Sequence, residues 1–201
     1  MIALCGTGAR WAARAAGHPR ELLLDQAHLE KKAAAAASRL LFRLEPHRKT
    51  HLPLSRLARE ELLHFERAVR LLHRRGWPFA AQRPCGYAEG LKREVARDMP
   101  DRLLDEIVLA AVIEARSLER MALLAGAFRG LDEDLAAFCA DLVRAERRRA
   151  ATYTALAAAR WGEAEVERRW DRWVKVESSV LAALPFEPRL HSGCPRECDG
   201  D

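Results

Sequence analysis

LAREELLHFE, residues 57–66, places a glutamate and a histidine three positions apart, Glu61 and His64, inside a stretch whose leucines recur at helical spacing. Projected at 3.6 residues per turn, Leu54, Leu57, Glu61, His64, Ala68 and Leu71 fall on one stripe. A carboxylate in the middle of an apolar stripe is costly to bury unless it is paired, metal-bound or protonated. The same anomaly recurs three times. Glu30 stands among Leu23, Ala27, Ala34, Ala37 and Leu41. Glu114 stands among Ile107, Ala111, Leu118, Met121 and Ala125. Glu146 stands among Leu135, Cys139, Leu142, Tyr153 and Leu156, with Arg149 one turn on.

Working outward, the chain reads as helix almost throughout. Alanine, leucine, arginine and glutamate dominate, and no alternating strand pattern persists. Pro and Gly punctuate five predicted helices at 20–44, 53–75, 101–126, 131–160 and 163–183, with a shorter one near 87–97 in a long connection. Two helices, a long crossover and two more helices is the ferritin-like plan among four-helix bundles, with an extra C-terminal helix. The expected organisation is a loose N-terminal extension at 1–19, a helical bundle at 20–185 and a tail at 186–201.

Composition narrows the function classes. The longest uncharged run, residues 150–159, has ten residues, too few for the roughly 20 that a membrane helix needs. The apolar stretch before Cys5 is too short for a secretory signal. Five cysteines, with Cys194 and Cys198 as a C-x3-C pair in the tail, make no disulfide framework and fit a reduced, cytoplasmic setting. The net charge of +5 permits a nucleic-acid partner without demanding one.

Four carboxylates converging on one core point to a metal cluster. The spacing repeats: 31 residues separate Glu30 from Glu61, and 32 separate Glu114 from Glu146. Residues three apart share a helical face, so Glu61 and His64 can ligate one metal. Lone glutamates alternating with Glu-x-x-His pairs form the di-iron carboxylate pattern. The competing reading is a bundle with a few buried salt bridges. The second half departs from the repeat, because Arg149 stands where a second histidine is called for, and arginine offers no lone pair to iron.

At these residues the chain resembles the bacterial tRNA hydroxylases that act on 2-methylthio-isopentenyladenosine. The matching stretches are DQAHLEKKAA (25–34), LAREELLHFE (57–66), GYAEGLKR (86–93), AVIEARSLERMALLA (111–125), AERRRAATY (145–153) and LHSG (190–193). The resemblance runs from about residue 20 to 193. It implies a ferritin-like bundle with a non-haem di-iron centre, and Glu30, Glu61, His64, Glu114 and Glu146 as ligands. It implies two irons, of which this chain is expected to hold one or two, molecular oxygen as co-substrate, an external electron donor and tRNA as partner. The family's last ligand is a histidine, at the position filled here by Arg149. Tyr153, one turn beyond, is a candidate hydrogen bonder behind the ligands.

Candidate RNA contacts are Lys31, Lys32, Arg39 and Arg43 on the first helix, Arg74 and Arg75 on the second, and Lys92 and Arg93 in the crossover. On the last helix Arg168, Arg169, Arg172 and Lys175 interleave with Trp170 and Trp173. The alternative for each is a solvated face, or a tryptophan sealing a helix onto the bundle. The alternative for the whole chain is an RNA-binding or structural ferritin-like bundle whose oxygen chemistry is lost or altered through Arg149. A third reading is a ferritin-like protein that handles iron.

Overall fold

The computed structural model describes residues 3–195. Among them are seven α-helices and no strand: α1 (Ala9–Ala16), α2 (Pro19–Arg43), α3 (Arg48–Arg74), α4 (Tyr87–Arg93), α5 (Asp101–Phe128), α6 (Glu133–Trp161) and α7 (Glu163–Ala183). They group into two compact units, residues 18–84 and residues 3–17 with 85–195. The Cys194–Cys198 pair falls partly outside the described residues.

The first unit is the α2–α3 hairpin with the segment that follows it. Pro19 opens α2 at a position whose N–H has no helical partner anyway. Small residues Ala27, Ala34 and Ala37 are buried on α2, and Leu54, Leu57, Ala68 and Leu71 on α3. The helix α3 begins one turn earlier than the proline suggested. His47 caps it, its Nδ1 accepting from the Lys49 amide at 3.2 Å, and Pro53 lies inside the helix. His51 Nε2 also donates to the Leu41 carbonyl at 2.9 Å, tying the start of α3 to the end of α2.

The second unit is built on the α5–α6 hairpin. Asp132 Oδ1 accepts from the Leu135 amide and starts α6. Gly162, at φ +84 and ψ 153, turns α6 into α7 in a single residue, a backbone conformation essentially confined to glycine. The helix α7 lies on α5 through two buried acids. Asp105 accepts from Trp173 Nε1 at 2.9 Å and from Arg169 Nη1 at 2.8 Å. Glu177 takes both arms of Arg116, at 2.7 and 2.8 Å, and the Tyr87 hydroxyl at 3.1 Å. Burial, with Glu177 beside it, holds the Tyr87 phenol well above its ordinary pKa, so Tyr87 is the donor.

Residues 9–16 are not a loose extension. Gly8 and Gly17 bracket a helix that buries Trp11, Ala12 and Ala15. The indole Nε1 donates to Ser192 Oγ at 3.2 Å, and the Arg120 guanidinium lies 4.3 Å above the ring. Thr7 Oγ1 donates to Glu119 Oε2 at 2.8 Å. The segment 190–193 is pinned to the same place. Arg120 Nη1 donates to the carbonyls of Leu190 and Ser192, and a Cβ at Gly193 would stand 1.8 Å from the Leu184 carbonyl oxygen.

Arg116 and Glu177 are both fully buried. Removing one member of a buried pair strands the other charge and costs about 3–5 kcal/mol. Glu177→Gln is therefore expected to destabilise the chain by about 3 kcal/mol, the lower end of that range, because Glu119 still accepts from Arg116 at 2.5 Å. Urea unfolding at neutral pH checks this; a loss under about 1 kcal/mol would mean the pair does not hold α5 to α7.

Candidate metal centre

The two hairpins each gather part of the sequence-predicted ligand set. In the first, Glu30 comes from the middle of α2, and Glu61 and His64 come from α3. Their ligand atoms all lie within 4.8 Å of one another. Glu30 and Glu61 are buried and the His64 side chain is 12% exposed. His64 Nδ1 stands 3.8 Å from Glu30 Oε2, too long for a hydrogen bond. Both carboxylates are buried, as are Ala27, Ala34 and Leu57 on the same two helices. Among the described residues this is the one cluster of three or more His, Cys, Asp or Glu that converges on a metal-sized space.

The donor set fits a resident iron. Two carboxylate oxygens and one imidazole nitrogen are hard-to-borderline donors that suit a divalent first-row metal. The three-residue spacing of Glu61 and His64 puts both on one side of α3, and Glu30 comes from the antiparallel neighbour. No backbone rearrangement is needed to bring the three together.

In the second hairpin Glu114 on α5 meets Glu146 and Arg149 on α6. Arg149 Nη1 lies 3.2 Å from Glu146 Oε1 and 3.8 Å from Glu114 Oε2. All three are buried. The guanidinium therefore stands within ion-pair distance of both carboxylates. Tyr153, one turn further along α6, is buried too. Cys139, on the same stripe, is a neutral thiol: burial pushes it up to about 12, so it offers no thiolate.

The structure gives the proposed RNA-contacting residues different circumstances. Lys31, Lys32, Lys92 and Arg93 are exposed. Lys31 Nζ lies 5.3 Å above the Phe79 ring, and Arg93 pairs with Glu89 at 2.6 Å. Arg169 and Arg172 are committed elsewhere. Arg169, 15% exposed, binds Asp105 and Asp101; Arg172, 41% exposed, binds Asp105 and the Glu94 carbonyl. Trp173 is buried against Asp105, so it seals α7 onto α5. These partners lie more than sixty positions away, and helical periodicity carries no sign of them.

Sequence reasoning left His191 without a role and passed over Gln26. His191 stacks on Tyr87 at 4.6 Å and meets Ser117 Oγ at 3.2 Å. It thus joins three of the quoted motifs, GYAEGLKR, AVIEARSLERMALLA and LHSG. Gln26 lies one turn before Glu30 and donates to it at 2.7 Å. A glutamine four residues before a buried glutamate was the available signal.

Comparison with known proteins adds four findings. A family model described as tRNA-(MS[2]IO[6]A)-hydroxylase (MiaE) matches residues 1–192, so the likeness includes the first nineteen residues that the sequence reading had set outside it. A Pseudomonas putida protein named tRNA 2-(methylsulfanyl)-N(6)-isopentenyladenosine(37) hydroxylase is 37% identical over 192 residues, 96% of this chain and 92% of that one. A Salmonella typhimurium protein of the same name is 36% identical over 139 residues, 69% of this chain and 50% of its own length. Among solved structures, a Synechococcus protein described as having aldehyde deformylating oxygenase activity is 35% identical, with a TM-score of 0.88 over 98% of both chains. The all-α, ferritin-like fold expected from the sequence agrees with that match.

Proposed function

The chain belongs to the tRNA-(MS[2]IO[6]A)-hydroxylase family, and from that premise we propose which residues carry the activity. The substrate is a tRNA bearing a (methylthio)isopentenyl adenosine, and the reaction places a hydroxyl on the isopentenyl group. Side chains cannot oxidise an unactivated carbon, so the hard chemistry belongs to iron, which supplies oxygen activation. Glu30, Glu61 and His64 hold it. The balance is one carbon–hydrogen bond and one O2 converted to one carbon–hydroxyl bond and one water. Two electrons and two protons come from an external donor. Glu114 and Glu146 complete the family's carboxylate set, and here Arg149 lies between them.

The protein's own contribution is position and dryness. Glu30 and Glu61 are buried from water, which strengthens every charge interaction there. The i,i+3 pairing on α3 fixes the histidine beside Glu61. Lys31, Lys32, Lys92 and Arg93 offer exposed charge for tRNA phosphates, an interaction that weakens with salt. No helix among the described residues is long and apolar enough to cross a membrane, and a tRNA substrate points to the cytoplasm.

The observation that carries the reading is the buried Glu30–Glu61–His64 cluster in a chain that matches the family over residues 1–192. Mass spectrometry of tRNA nucleosides tests it. Hydroxylated isopentenyl adenosine should disappear on deletion and appear when the chain is expressed in a host that makes the unhydroxylated nucleoside. No change in either strain would overturn it.

A further inference from the structure

Glu30 is held from within its own helix. Gln26 Nε2 donates to Glu30 Oε1 at 2.7 Å, and Gln26 is 4% exposed. An ionised carboxylate only accepts, so the amide must present its NH2 to Glu30, and its orientation is fixed. The other amide atom, Gln26 Oε1, is then buried with no hydrogen-bond partner among the described residues. Buried acceptors are satisfied in the great majority of cases, and an unsatisfied one points to a missing donor. The two amide heteroatoms share one carbon. The orphan oxygen therefore lies next to the Gln26–Glu30 bond, beside the Glu30–Glu61–His64 cluster.

We propose that Gln26 is a positioning residue of the metal centre. It holds Glu30 by Oε1, so that Oε2 is the oxygen turned toward His64. Its free amide oxygen accepts from a water that accompanies a hydrated divalent ion. This inference rests on the reading of Glu30, Glu61 and His64 as metal ligands. An amide hydrogen bond to a ligating carboxylate fixes the oxygen that binds, and such outer partners change metal affinity by about 10–100-fold.

The probe is Co(II), titrated anaerobically into the whole chain and read by calorimetry and by its visible absorption. Gln26→Met keeps the length and the helix preference but removes both polar atoms. It is expected to raise the Co(II) dissociation constant by about 10–100-fold and to alter the absorption bands, while the apo melting temperature stays the same or rises. Gln26→Asn, an amide one methylene short of Glu30, should weaken binding likewise, and stands in if Gln26→Met does not fold. In a Glu30→Asp background, whose shorter carboxylate no longer meets the amide, Gln26→Met should have no further effect; a residue that only fills space would give additive losses. Unchanged affinity and spectrum in folded variants, or additive losses, would overturn the inference and leave the metal reading standing. A wild-type chain that binds no Co(II), or binds it equally well after Glu61→Gln, would overturn the metal reading itself.

Discussion

Glu61→Gln is expected to cost the chain its tightest iron and its hydroxylase activity together, without unfolding it. Glu61 is fully buried and lies with Glu30 and His64 in one cluster of donors. The glutamine has the same shape but no charge, so the packing of α2 on α3 survives. A neutral amide is a poor ligand for a divalent ion, and the loss of a ligating charge should exceed the roughly 10–100-fold effect typical of an outer partner. Hydroxylation of isopentenyl adenosine should fall by about a hundredfold or more, in proportion to the iron lost. Apo stability should move the other way, because an ionised carboxylate is costly to keep from water and an amide less so. Metal analysis, nucleoside analysis and apo melting temperature are read on the same sample. A variant that retains full iron and activity would remove Glu61 from the ligand set.

The pattern of that expectation explains what the sequence made legible. Glu30, Glu61 and His64 are visible because helical period and burial act on neighbours in one or two adjacent helices. A carboxylate out of place on an apolar stripe announces itself. The five long helices were legible for the same reason, with ends displaced by at most five residues. At α3 a histidine cap outweighed the signal of Pro53. What escaped is what depends on distant partners. The helix α1 is short and rich in alanine, and its anchors are Ser192 and Arg120, more than a hundred positions away. Arg169 and Arg172 look like RNA contacts until Asp105 is placed beside them. Nothing local distinguishes a solvated arginine from one that neutralises a buried acid.

Arg149 is the case in which sequence and structure agree on a departure. The repeat calls for histidine there, and the guanidinium that replaces it is a planar cation suited to pairing with Glu146 or Glu114. It lies within ion-pair distance of both. The charge balance of this cluster follows. Two ionised carboxylates with Arg149 carry a net −1, and a divalent ion entering beside the guanidinium turns that to +1 while finding no nitrogen donor there. With a neutral histidine instead, the same ion is balanced by the two carboxylates and gains a nitrogen donor. The Glu30–Glu61–His64 cluster has that balance in the native chain. The wild type is therefore expected to hold about one tight iron per chain after anaerobic loading, and Arg149→His about two. Iron stoichiometry after anaerobic loading of both chains measures the difference. Arg149→Lys controls for charge: it keeps the cation without the planar fork, and should stay near one iron. Two tightly bound irons in the wild type, with full hydroxylase activity, would show that the guanidinium yields its place to the metal and that this charge argument is wrong.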